Sequence, residues 1–128
     1  MTPKFRAWHN ELGRMMSISD MWFNVYSLGE IGLNDAVMND YITVSPDEIK
    51  LMQSTGLKDK NSKEIFEGDI LGTKDGLLNG VVEYSSNLGM FVNSLISYNN
   101  FERLCNVAGN REILGNIYEN PELLEAEE

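Results

Sequence analysis

The chain has 128 residues, twenty acidic against ten basic side chains, a formal charge of −10, and 42% hydrophobic positions. That length fits one domain or two very small ones with an ordinary apolar core. The acidic balance argues against a nonspecific nucleic-acid coat, and Cys105, the single cysteine, excludes an intrachain disulfide or a cysteine-built zinc site within one chain.

Residues 1–6 have no apolar stretch after their basic side chains, so no signal peptide is expected. No apolar run nears the roughly 20 residues that span a bilayer. The expected compartment is the cytoplasm, with no membrane partner.

Residues 4–18 read as a hairpin: Lys4-Phe5-Arg6-Ala7-Trp8 alternates, residues 9–13 form a polar turn ending in Gly13, and residues 14–18 return. Residues 21–26 are dense in β-formers. Gly29, Gly32 and Asn34 interrupt any longer pattern, and residues 34–40 read as a loop or one helical turn. Residues 41–44 have strand composition. Ser45-Pro46-Asp47-Glu48 has helix-start chemistry, with Ser45 as N-cap, Pro46 at the first position and Glu48 completing a capping box. Residues 51–54 are expected to be a strand.

Residues 56–71 form the clearest local pattern, a hairpin. Asp59-Lys60-Asn61 has the residues of a type I turn, and Glu67-Gly68-Asp69 makes a second tight turn into Ile70-Leu71. Beyond it, strands are expected at 80–84, 90–93, 101–104 and 112–115, with turns at 74–76, 85–89 and 106–110. Such closely spaced short strands indicate a small barrel or sandwich. Residues 116–120 read as a single turn before Pro121, and residues 122–128 as an acidic, frayed tail.

Three blocks carry a family resemblance. Lys4-Phe5-Arg6-Ala7-Trp8 opens the chain. Leu51-Met52-Gln53, Thr55 to Asn61 and Glu64 to Ile70 form its centre, and Ile113 to Leu124 its close. In that order they resemble the YopX-like proteins of bacteriophages and prophages. The resemblance implies a mainly β fold, α+β at most. An N-terminal hairpin region over 1–50 would precede an SH3-like β-barrel over 51–121, with the tail at 122–128. It also implies a phage-encoded accessory protein, and no particular activity. Ser62 stands where that family usually has Gly, and Ser54 where it usually has an aromatic. A left-handed Ser62 should cost on the order of 1 kcal/mol relative to Gly.

The candidate chemistry is thin. His9, the only histidine, has no Ser or Cys partner in a known motif and reads as a solvated turn residue. Cys105 reads as a buried, inert strand thiol. Asp35, Asp40, Asp47 and Glu48 do not match the ligand spacing of a calcium loop and read as solvated loop acids. Asp69 is expected to hydrogen-bond its own turn. No metal, cofactor or catalytic residue is assigned, and an enzyme is not expected.

Two groups remain as an interaction surface. Lys58, Lys60 and Lys63 cluster on the hairpin tip, where lysines also guard against edge aggregation. Trp8 and Trp22, with Phe23, Tyr26 and Phe66, would form a core shared by the two halves or, alternatively, an aromatic groove. The expected function is a non-enzymatic module that binds a phage or host protein and self-associates because so short a chain covers its surfaces poorly. A nucleic-acid-binding accessory role is the alternative.

Overall fold

The computed structural model describes residues 4–23, 28–36 and 38–125, excepting the side chains of Phe23 and Leu28. The protein is mainly β, with antiparallel sheets in two compact units, Met1–Gln53 and Ser54–Glu128.

In the first unit, β1 (Phe5–His9) and β2 (Arg14–Phe23) form the expected hairpin, with Ala7 opposite Met16. β3 (Leu28–Asp35) and β4 (Asp40–Val44) extend it on one side, and the first half of β5 (Ile49–Lys58) on the other, giving the order β4-β3-β2-β1-β5. The glycines expected to break residues 29–35 lie inside β3. Pairing with β2 and β4 on both edges outweighs their poor strand propensity. At Gly32 a side chain has no room: a Cβ there would strike the Tyr41 hydroxyl and the Asp20 carboxylate, which meet above it. Of the strand expected over 21–26, residues 24–26 lie outside the described residues.

The core of this unit is aliphatic: Ala7, Met16, Ile31, Leu33, Val44 and Ile49, with Ile18, Met21 and Ile42 packed against them. A bulge at Ser19, between the pairs Ile18–Leu33 and Asp20–Gly32, resets the alternation of β2. Met16, Ile18 and Met21 therefore face the core, while Asp20 and Trp22 face away from it. The expectation of Trp22 as core is overturned: it is 46% exposed. The turn from β4 to β5 follows the sequence closely. Pro46–Glu48 form one 3-10 turn, and Glu48 Oε2 accepts the Ser45 N–H at 2.7 Å.

In the second unit, the end of β5 pairs with β6 (Glu64–Phe66) at Ser54–Phe66 and Lys58–Glu64. The remaining strands are β7 (Asp69–Gly72), β8 (Gly80–Ser85), β9 (Met90–Leu95), β10 (Phe101–Arg103) and β11 (Glu112–Asn116). They are ordered β10-β9-β8-β7-β11, all neighbours antiparallel. Ile65, Leu71, Val82, Leu104 and Ala108 make the buried core. The last two come from α1 (Leu104–Val107) and the 3-10 turn Ala108–Asn110, where a strand end and a plain turn were expected. Cys105 is consequently exposed on α1 and not buried in a strand. A 3-10 turn at Pro121–Leu124 follows β11. Residues 126–128 of the expected frayed tail lie outside the described residues.

Ser62 has the left-handed backbone expected of it, with φ of 65°. Relief of that strain, offset by the extra freedom of glycine in the unfolded chain, gives Ser62→Gly an expected gain of about 0.5–1 kcal/mol. An upward shift of the urea midpoint at unchanged slope checks it.

Candidate functional site

The hairpin at 56–71 is densely hydrogen-bonded. Asp59 is only 4% exposed. Its Oδ1 accepts the N–H groups of Asn61 at 2.8 Å and Lys63 at 2.9 Å, closing the local turn. Its Oδ2 accepts the N–H of Ile113 at 3.0 Å, tying the turn to β11. Burial pushes this carboxyl up, but the three backbone donors, with Lys63 nearby, outweigh burial and hold it below the usual carboxylate range. Lys60 donates its N–H to the Arg111 carbonyl at 2.9 Å, and its ammonium lies 3.6 Å from Glu112. The tip is thus a clasp on the entry to β11. Lys58, Lys60 and Lys63 are themselves exposed.

The second turn is equally structural. Gly68 has φ of 86°, its N–H reaches the Val82 carbonyl at 2.8 Å, and its own carbonyl takes the Ile117 N–H at 2.9 Å. Asp69 bonds within its turn as expected, its Oδ2 accepting the Phe66 N–H at 2.8 Å.

Two acid–base candidates lie elsewhere than expected, and a third group was not apparent from the sequence. His9 ends β1, is buried, and accepts the Leu12 N–H on Nδ1 at 3.1 Å, so it anchors the hairpin turn from inside. Asp35 is a buried strand residue, ion-paired with Arg14, and takes the Met38 N–H at 3.3 Å. Neither is the solvated loop group that the sequence indicated. The third group is Glu102. It accepts Arg111 in a fork, Nε at 3.3 Å and Nη2 closer, and takes Asn93 Nδ2 at 3.2 Å. Nothing in the linear spacing of 93, 102 and 111 marks them; β9–β10 pairing and the turns before β11 bring them together. Among the described residues no group of three or more His, Cys, Asp or Glu could hold a metal ion. No helix there is long and apolar enough to cross a membrane.

The outward face of the first unit has a different character. Trp8 lies opposite Met15, and Tyr41 opposite Asn34 and through it Ser17, which places both rings on the face that Trp22 also occupies. Trp22 and Tyr41 are each 46% exposed and Trp8 is half-buried. The Tyr41 hydroxyl donates to Asp20 at 2.8 Å, and that acceptor is the main cause of a phenol pKa above its usual value. The structure therefore assembles Trp8 and Trp22 on one face, with Tyr41 added. It places the three lysines in the other unit.

A family model described as YopX protein matches residues 4–125. The chain belongs to the YopX family. Among solved structures, this YopX-family protein is similar to protein EF1440 from Enterococcus faecalis, at 29% identity and a TM-score of 0.67, covering 98% of this chain and 99% of that one. It is also similar to protein yopX from Bacillus subtilis, at 20% identity and a TM-score of 0.60, covering 98% and 100% of the two chains. No curated protein matches it. The resemblance read from three sequence blocks thus extends along residues 4–125, and both solved structures align with 98% of the chain.

Proposed function

We propose that this YopX-family protein is a non-enzymatic interaction module, made by a phage or prophage and working in the host cytoplasm, that binds a phage or host protein and associates with further copies of itself. The exposed Trp22 of β2 and Tyr41 of β4 on one face of the sheet carry this reading. Aromatic side chains of that kind supply large contact area at low entropic cost and are enriched where proteins bind one another. The polar groups that first suggest chemistry support it from the other side. Asp59, Asp69, His9 and Glu102 each spend their bonding capacity on fixing backbone or a neighbouring side chain. We read the second unit as an SH3-like barrel, since Ile65 of β6 and Leu104 and Ala108 join Leu71 and Val82 in one core. The phage setting rests on the family resemblance.

A nucleic-acid role would draw on Lys58, Lys60 and Lys63. Lys60 is engaged by Glu112 and the chain is acidic overall, so a protein partner is favoured. The test is affinity capture of the tagged chain from a prophage-induced host after nuclease digestion. A protein partner in near-stoichiometric amount is the expected result. Recovery of nucleic acid alone, released steeply by salt, overturns it.

A further inference from the structure

The turn that closes the first hairpin is held by a bond that a single proton abolishes. His9 ends β1, opposite Arg14 of β2 and Ile49 of β5, and is 6% exposed. Its Nδ1 lies 3.1 Å from the Leu12 nitrogen, and a backbone N–H only donates. Nδ1 therefore presents a lone pair, the ring proton sits on Nε2, and the ring is neutral. An imidazolium is a donor at both nitrogens. A second ring proton would point at the Leu12 N–H, so that proton and the Leu12 bond exclude one another.

The surroundings offer a charged ring little compensation. The group directly opposite is Arg14, ion-paired with Asp35 of β3, which also takes the Met38 N–H. Asp40 lies opposite Asp35 on β4 and accepts the Tyr41 N–H. On the turn Pro46–Glu48, Asp47 accepts the Ser45 hydroxyl and Glu48 the Ser45 N–H. Glu11, in the same turn as Leu12, is exposed. The turn is also fastened to Pro46–Glu48. Asn10 donates its N–H to the Glu48 carbonyl at 3.1 Å and its side-chain amide to the Asp47 carbonyl at 3.4 Å. The Gly13 N–H reaches the His9 carbonyl at 2.9 Å, a backbone bond that ring protonation does not touch.

We propose that His9 is an acid-operated latch on the β1–β2 turn. Neutral, it holds Leu12 down onto the end of β1. Protonated, it releases Leu12 and loosens residues 10–12, while the β1–β2 pairing and the Gly13 bond persist. The device stands apart from the reading of this protein as a binding module.

The experiment is NMR of the 15N-labelled full chain from about pH 7.5 to about pH 5, where histidine changes charge and ordinary carboxylates stay ionised. At the upper end the His9 ring is expected to show its proton on Nε2. As the ring gains its second proton, the exchange protection of the Leu12 amide, corrected for the intrinsic pH dependence of exchange, is expected to fall about tenfold with the same midpoint. Ile31, paired on both sides within β3, keeps its protection. His9→Asn puts a non-titrating acceptor oxygen in place of Nδ1 and is expected to remove the pH dependence at Leu12. The wild-type measurements decide the proposal even where that variant does not fold. A ring proton on Nδ1, a ring that stays neutral at pH 5, or a ring that titrates without loss at Leu12 each overturns it. So does an equal loss at Ile31, or the same loss at Leu12 in His9→Asn.

Discussion

Replacing Asp59 by alanine is expected to cost about 3 kcal/mol of stability, the loss spread over three backbone N–H groups. The donors are Asn61, Lys63 and Ile113, all within 3.0 Å of the carboxylate. Each unsatisfied buried donor costs roughly 1–3 kcal/mol, and water reaching the exposed tip recovers part of that. Against a total of about 5–15 kcal/mol for a typical domain, such a loss is large. Asp59→Asn is expected to be intermediate, because its amide NH2 turns a donor toward one of the three. Acid provides an independent check. The folded carboxyl is depressed, so its contribution is fully present above the unfolded value of about 3.9 and is lost as pH falls through the lower folded value. Urea unfolding of wild type and Asp59→Asn at neutral pH should therefore show a gap that narrows below about pH 4. A gap that stays constant in acid would show that the charge is not what the clasp uses.

Glu102→Ala should have a comparable effect for a different reason. Glu102 and Arg111 are 15% and 12% exposed at their side chains, and Asn93 beneath them is fully buried. Removing the carboxylate leaves a mostly buried guanidinium without its fork and the Asn93 amide without its acceptor. Breaking a buried pair from one side costs about 3–5 kcal/mol, and the residual exposure places this one near the lower end. Removing both charges is expected to be far milder. Glu102→Met with Arg111→Met should recover the part of the loss that comes from the unpaired guanidinium, because that desolvation cost disappears with the pair, while the Asn93 amide still lacks its acceptor. Thermal or urea unfolding of the three variants checks both parts. A double variant as unstable as Glu102→Ala would mean that the pair contributes through geometry and not through the orphaned charge.

What the sequence disclosed was local chemistry. The Ser45–Glu48 contact, the Asp59 bonds to Asn61 and Lys63, and the Asp69 bond to Phe66 join residues within four positions of one another, and the structure has each of them. What it concealed depended on distant pairing. β3 runs through Gly29 and Gly32 because strands on both sides supply its hydrogen bonds and because Asp20 and Tyr41 need the space above Gly32. Trp22 faces outward because one unpaired residue at Ser19 inverts the alternation, and a bulge leaves no mark in composition. Leu104–Val107 is helical without a side-chain cap, so the usual start signal was missing. The same division applies to the surfaces. Trp8 and Trp22 were legible as candidates by residue type. Their common face with Tyr41 was not, because it depends on the register of β1, β2, β3 and β4.

Under the proposed function, the family signature and the binding surface would be different parts of the molecule: residues 56–71 would hold the fold, and the outward aromatic face would bind the partner. The direct test is parallel capture from a prophage-induced host with three chains matched for unfolding midpoint: wild type, Trp22→Ser with Tyr41→Ser, and Lys58→Ser with Lys60→Ser and Lys63→Ser. The lysine variant should retain the protein partner and the aromatic variant should lose it. Retention by the aromatic variant with loss by the lysine variant would contradict the account and place function on the hairpin tip.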